Sequence, residues 1–241
     1  MQDHPFFLSC IMMTFSITIL GSGGAIPLLN RNPSAQLINV HEKLFLLDCA
    51  EGTQLQLRKN RVRIQKIEHI FISHLHGDHY FGLMGLITSL HLLGREADLH
   101  LYAHPDLKKI IDLHLEASQT ILRYTLIFHP LDPEKAVVIL DNKVVEVSTI
   151  PMKHNFPTCG FLIREKLAKP NIRKDFLEGK DLARFEYRKI KNGHDYIDGS
   201  GNVFKNADIV IPPKPARTYA YCTDTAYNED VLPLIKGVDV L

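Results

Sequence analysis

The sequence predicts an α/β protein: two mixed β-sheets packed face to face with helices outside, a four-layer αβ/βα sandwich. Three observations predict it. Short aliphatic and β-branched runs recur along the chain, with helical spacing placed between them. Residues able to carry chemistry fall just past the ends of those runs, at His74–His79, His154 and Asp224, where α/β sheets gather functional side chains. The 241 residues are 45% hydrophobic and 23% charged, enough for one large domain or two small ones. The expectation is a single domain over residues 1–241.

Phe15–Leu20 reads as a strand running into Gly21-Ser22-Gly23-Gly24. Gln36–Val40 and Leu44–Leu47 form a hairpin pattern, followed by Asp48-Cys49-Ala50-Glu51-Gly52-Thr53-Gln54 and a helix through Lys59. His69–Ser73 is the next strand. Leu83, Leu86, Ile87, Leu90 and Leu93 give residues 80–93 helical periodicity. Leu99–Ala103 reads as a strand and Pro105–Ser118 as a helix with proline at its first turn. Strands follow at 126–128, 136–140, 143–151, 160–163 and 219–223, with a last helix over 229–236.

The formal net charge of +1 excludes no class of partner. Cys10, Cys49, Cys159 and Cys222 show no C-x-x-C spacing, which argues against a disulfide framework or zinc knuckle and for a reducing, cytoplasmic compartment. Phe6–Leu20 is apolar but short and lacks a preceding cationic segment, so neither a secretory signal nor a membrane span is expected. Translation starting at Met12 or Met13 would make residues 1–12 an extension. From Arg164 to Lys191 ten cations face five acids, a local +5. That stretch fits a solvated surface excursion or a basic arm, over residues 164–193, that holds a phosphate backbone.

The densest chemistry is Phe71-Ile72-Ser73-His74-Leu75-His76-Gly77-Asp78-His79, an H-x-H-x-D-H cluster. Alternate residues of an extended segment point the same way, so His74 and His76 can reach one ion. Gly77 would permit a tight turn that redirects Asp78 and His79 to a second ion. Imidazoles with a carboxylate suit Zn²⁺ or a similar metal. Two ions about 3.5–4 Å apart suit hydrolysis of a phosphodiester, an ester or an amide.

The H-x-H-x-D-H run resembles the signature of the metallo-β-lactamase fold. Within it the chain resembles the ribonuclease Z family, tRNA 3′-processing endonucleases. The likeness rests on Leu20-Gly21-Ser22-Gly23-Gly24-Ala25-Ile26-Pro27, Arg31-Asn32, Leu47-Asp48-Cys49-Ala50-Glu51-Gly52-Thr53-Gln54, Ile67–His79, Phe81-Gly82-Leu83 and Pro212-Pro213. The D-C-x-E-G-T-Q block is the most selective part.

The resemblance implies that His74, His76 and His154 hold one zinc, Asp78 and His79 a second, and Asp224 bridges both. Asp78 would also be the catalytic carboxylate, orienting the hydroxide between the ions or taking its proton, and Asp48 would orient a ligand imidazole. It implies two zinc ions per complete chain, precursor tRNA as substrate, a homodimer, and an arm whose Lys166, Lys169, Arg173 and Lys174 contact RNA. Gly21, Gly23 and Gly24 would let backbone approach the site, and no nucleotide cofactor is expected. The family's G-D-T around the bridging aspartate is Thr223-Asp224-Thr225 here, and the arm lacks a Gly-Pro-rich tip. Family members continue past Leu241 with a proton-donating histidine and a last zinc ligand. The expectation is therefore a chain truncated at its C-terminus, whose second metal set lacks one protein ligand. Two alternatives stay open: another phosphodiesterase of this fold, and a metal- and RNA-binding form without turnover.

Overall fold

The structure, a computed structural model, describes residues 14–241. The extension 1–12, the start at Met12 or Met13, and Cys10 lie outside the described residues. The chain forms two compact units, one comprising the residues up to Ile163 together with Thr218–Leu241, the other Arg164–Arg217.

In the first unit, β1 (Phe15–Gly21), β2 (Ala35–Val40), β3 (Lys43–Leu47), β4 (Ile67–Phe71), β5 (Leu99–Ala103) and β6 (Leu126–Pro130) make a six-stranded sheet in that order. The first two pairings are antiparallel and the last three parallel. Each parallel step needs a crossover, and helices provide them. These are α1 (Thr53–Lys59), then α2 (Gly77–Tyr80) with α3 (Leu83–Leu92), then α4 (Asp106–Ala117). The second sheet joins β7 (Val138–Asp141), β8 (Val145–Met152), β9 (Thr158–Glu165) and β14 (Thr218–Tyr221) in the order β14-β9-β8-β7.

Strand alternation sorts the core into layers. Leu44, Leu46, Ile70, Leu99 and Leu101 face Leu57, Leu83, Leu86, Ile87, Leu90, Leu107 and Ile111 of the helices. Their neighbours Phe45, Leu47, Phe71 and Tyr102 face Val145, Val147, Phe161, Ile163, Tyr219 and Tyr221 of the second sheet. On that sheet's far side Ile150, Leu162 and Ala220 pack with Val231, Leu234 and Ile235, around α8 (Leu232–Ile235). Helix, sheet, sheet, helix: this is the expected sandwich.

Some boundaries moved. The strand expected at 69–73 spans 67–71; Ile72 still donates its N–H to the Tyr102 carbonyl, and the chain then runs to His76, which is extended at the start of α2. The helix expected over 80–93 is two helices, and Leu93 is exposed rather than in the apolar stripe. The last helix is one 3-10 turn at Glu229–Val231 followed by α8.

The second unit contains β10 (Asn171–Ile172), α5 (Lys174–Leu177), α6 (Arg184–Lys191), β11 (Tyr196–Ile197), β12 (Val203–Phe204), α7 (Asn206–Ile209) and β13 (Val210–Ile211). β10 pairs with β13, and β11 with β12. Ile172, Leu182, Ile190 and Ile209 are buried there against Phe176, Tyr196 and Phe204. The unit runs past the charged stretch 164–193, because that stretch supplies only part of this core. The residues after it complete the packing. Thirteen Lys and Arg against eight Asp and Glu give residues 164–217 a formal +5. Among the described residues no helix is long and apolar enough to cross a membrane, and Cys49, Cys159 and Cys222 are free thiols.

Candidate metal centre

The extended segment after β4 brings His74 and His76 together, with His74 Nε2 and His76 Nδ1 3.1 Å apart. His154, beyond the end of β8, places Nε2 3.4 Å from the same His76 nitrogen. Nitrogen donors about 2.0–2.1 Å from a tetrahedral ion stand roughly 3.3–3.4 Å from one another, so this spacing fits a shared ion. Asp224 completes the set: one donor atom from each of His74, His76, His154 and Asp224 lies within 4.8 Å of all the others. Beside it, His79 Nε2 lies 3.6 Å from Asp78 Oδ2 and 3.8 Å from Asp224 Oδ2. Asp224 thus stands between two groups of donors, three imidazoles on one side and Asp78 with His79 on the other.

The D-C-x-E-G-T-Q block builds the platform underneath. β3 ends at Leu47, and Asp48 takes a left-handed conformation (φ 54°) that Asp adopts more readily than most residues. Its carboxylate, fully buried, accepts from His79 Nδ1 at 2.6 Å and from the Ser73 N–H at 2.8 Å. It also accepts from Ser73 Oγ (3.0 Å), Ser34 Oγ (3.2 Å) and the Tyr221 hydroxyl (2.6 Å). Fixing Nδ1 aims His79 Nε2 outward at the donors. The Cys49 N–H donates to the His79 carbonyl and the Gly82 N–H to the Cys49 carbonyl, which ties the C-terminal side of α2 to the segment after β3. Gln54 Nε2 donates to Ser89 Oγ, tying α1 to α3.

Where a tight turn was expected at Gly77, the chain turns into a helix. Gly77 opens α2, and a Cβ there would lie 2.3 Å from the Phe81 ring, so its role is to leave room. Gly21 allows a close approach: a Cβ on it would meet the Pro33 carbonyl at 1.9 Å. The loop that follows delivers the Ala25 N–H to Asp78 Oδ2 at 2.6 Å.

Burial, and then neighbouring His79, push the pKa of His74 down to about 4, leaving it neutral at physiological pH, the form that binds metal. Burial opposes protonation of His79 as well. There the Asp48 hydrogen bond and charge outweigh it and hold the pKa above the usual imidazole value. Burial would raise Asp78, yet the Ala25 N–H and His79 hold it below the ordinary carboxylate range. A cleft of about 630 Å3 opens on these groups, lined by His76, Asp78, Asp224, Glu51, Ala25 and Phe81 among others.

Several supporting residues escaped the sequence reading. Tyr221, Ser34 and Ser73 converge on Asp48 from separate strands and loops, and no local motif announces them. The loops carrying His154 and Asp224 are joined, since the Lys153 N–H donates to Thr225 Oγ1 and the Ala226 N–H to the Lys153 carbonyl. In the second unit Lys169 donates to Asn192 Oδ1, and Arg173 makes a two-pronged pair with Asp175. Lys166 is half-buried and Lys174 exposed at the start of α5.

A family model described as the anti-Pycsar protein Apyc1 matches residues 15–175. A ribonuclease Z of Phocaeicola vulgatus is 42% identical over 230 residues, covering 95% of this chain and 74% of that protein. The crystal structure of the short form of human tRNase Z matches with a TM-score of 0.57 at 30% identity, over 61% of this chain and 64% of that one. The metallo-β-lactamase fold protein YhfI from Bacillus subtilis matches with a TM-score of 0.58 over 94% of this chain and 70% of that one, at 17% identity, a likeness of fold. The sandwich, the donors at its strand ends and these likenesses agree: the chain belongs to the ribonuclease Z family of the metallo-β-lactamase fold and falls within the family that the Apyc1 model describes.

Proposed function

We propose that the chain is a zinc-dependent endoribonuclease that removes the 3′ trailer from precursor tRNA, leaving a 3′-hydroxyl on the tRNA and a 5′-phosphate on the trailer. The observation that carries this is the convergence of His74, His76, His154 and Asp224 beside Asp78 and His79 at an open cleft. The ribonuclease Z names of its relatives support the substrate.

His74, His76 and His154 would hold one zinc, Asp78 and His79 a second, with Asp224 shared. When bound, the ions supply a water acidic enough to attack at neutral pH and neutralise charge on the phosphate. Asp78, ionised and anchored by Ala25, suits orienting that water better than taking its proton, since its low pKa makes it a weak base. Asp48 keeps His79 in one tautomer and orientation. In the +5 second unit Lys166, Lys169, Arg173 and Lys174 would meet the RNA backbone. The Arg173–Asp175 pair is exposed, and such a pair costs little to exchange for a phosphate. A homodimer belongs to the same reading, and the free thiols support a reducing cytoplasm.

The test is cleavage of a precursor tRNA labelled in its trailer, with the ends mapped. A single cut at the trailer junction, lost on chelation and restored by Zn²⁺, is the expected result. Hydrolysis of small phosphodiesters without that cut would make the chain another phosphodiesterase of this fold. Metal binding with neither activity would make it a form without turnover.

A further inference from the structure

One wall of the cleft carries an aromatic ring that the metal chemistry does not use. Phe81 caps α2 two residues after His79, lines the cleft, and is 64% exposed. An exposed apolar side chain is ordinary by itself. This one is held in place. Its Cε2 would stand 2.3 Å from a Cβ at Gly77, so the ring rests against the bare Cα of the helix that presents Asp78 and His79. Tyr80 braces it edge-to-face, with centroids 5.1 Å apart and planes at 67°. A ring fixed in advance loses little freedom when a ligand covers it.

The cleft therefore has two surfaces of different chemistry. His76, Asp78 and Asp224 form a donor side suited, through cations, to a phosphate. Phe81 offers an apolar surface next to it. The flat apolar parts of an RNA are its bases, and unpaired bases stack on exposed aromatic side chains. Phe81 and the donors line one cleft, so a nucleotide whose phosphate meets the donors has its base in the same cleft as this ring.

We propose that Phe81 is a stacking platform for the nucleobase next to the scissile phosphate, a substrate-contacting residue that governs binding and register and leaves the chemical step to the metal centre. The inference rests on the nuclease reading above. Every base has a π-face, so the contact tolerates any base at the cleavage junction and requires only that one be present.

The test pairs enzyme variants with substrate variants. Wild-type, Phe81→Ala and Phe81→Trp proteins are assayed on precursor tRNA carrying an intact or an abasic nucleotide at each position flanking the cut, with bound metal measured in parallel. On intact RNA, Phe81→Ala should raise KM about tenfold with kcat little changed, and Phe81→Trp should restore it. On RNA abasic at one flanking position, wild type and Phe81→Ala should become equal. Equal losses on intact and abasic substrates, or a fall in metal content in Phe81→Ala, would overturn the proposal and give the ring a structural role on α2. Unchanged KM in Phe81→Ala while wild type cleaves precursor tRNA would sink the stacking alone. Wild type that hydrolyses small phosphodiesters but not precursor tRNA would remove the nuclease reading and this inference with it.

Discussion

Two groups of histidines meet at strand β4: one runs across the sheet from β4 to β5 and β6, and the other lies just past the end of β4, where His154 joins it from beyond β8. Across the strands, His69 stacks on His100 (4.8 Å, 23°), His100 on His129 (5.2 Å, 20°) and His129 on Tyr102 (4.2 Å, 9°). Past its end, the rings of His74, His76 and His154 meet at 76°, 76° and 81°. Nitrogen lone pairs lie in the ring plane, so three steeply crossed rings can aim at one point, whereas a row of stacked rings does not bring all its nitrogens to one. In the ladder His100 Nδ1 and His129 Nε2 sit 2.9 Å apart, the spacing of a hydrogen bond with room for a proton between them. The ladder's nearest acid, Glu68, is paired with Lys43 at 2.7 Å. The crossed set has Asp48, Asp78 and Asp224 around it. A concentration of histidines becomes a metal centre through ring orientation and carboxylates, and proximity alone does not make one.

The largest effects should separate the two groups. His154→Ala should lose the ion of the first donor set, with a fall in affinity beyond the roughly 10–100-fold typical of a supporting residue. His100→Ala should retain the metal content of wild type. Elemental analysis and chelator competition on both proteins would check this, and comparable losses in the two would erase the distinction.

Asp48 comes next, because it supports the crossed set from below. Asp48→Asn keeps the shape but not the charge facing His79, and metal affinity should fall about 10–100-fold. Asp48→Ala leaves His79, Ser73 and Tyr221 without a buried acceptor, and should cost stability on the order of 3–5 kcal/mol in denaturant unfolding. If Asp48→Ala unfolded like wild type, the carboxylate would not be the hub its contacts describe.

How much of this was legible in the sequence follows from distance along the chain. His74, His76, Asp78 and His79 fall within six residues, and an extended segment followed by a helix start is enough to bring them together. His154 and Asp224 stood out as residues just past strand ends and, once that cluster was set, as its missing ligands. Alternation gave the strands, and a single stripe gave α3. Tyr221 and Ser34 were invisible because their meeting at Asp48 depends on how β14 lies against the first sheet, a tertiary fact. The core of the second unit was missed for a related reason. Ile172, Leu182, Ile190 and Ile209 are spread over a chain segment otherwise full of charge, with no periodicity to join them.

A smaller effect concerns acid. Burial, and then His100, lower the pKa of His69 to about 4. The unfolded chain takes a proton at an ordinary histidine near pH 6.5 while the folded one resists until about 4. Stability fully present above pH 6.5 is therefore lost as the pH falls through that window, by roughly 2–3 kcal/mol. His69→Phe, which keeps the stack between Phe45 and His100, should flatten unfolding stability between those pH values. An unchanged pH dependence would assign the acid sensitivity elsewhere.

The smallest expected change is also the one that tests whether the second sheet takes part in the site. Tyr221 donates to Asp48 across the interface between the sheets, three residues before Asp224. Burial raises its pKa well above 10, so it stays a donor throughout the accessible range. Tyr221→Phe removes that bond without leaving an orphaned group, since Asp48 keeps Ser73, Ser34 and His79. The cost should be about 1–2 kcal/mol, the same at pH 5 as at pH 8. That flat profile distinguishes it from His69, whose contribution changes across the same interval. If Tyr221→Phe also weakened metal binding, the hydroxyl would be steadying Asp224 through β14 as well as Asp48. If only stability fell, it would be a strut between sheets, and the metal centre would depend on the first sheet and its loops for its precision.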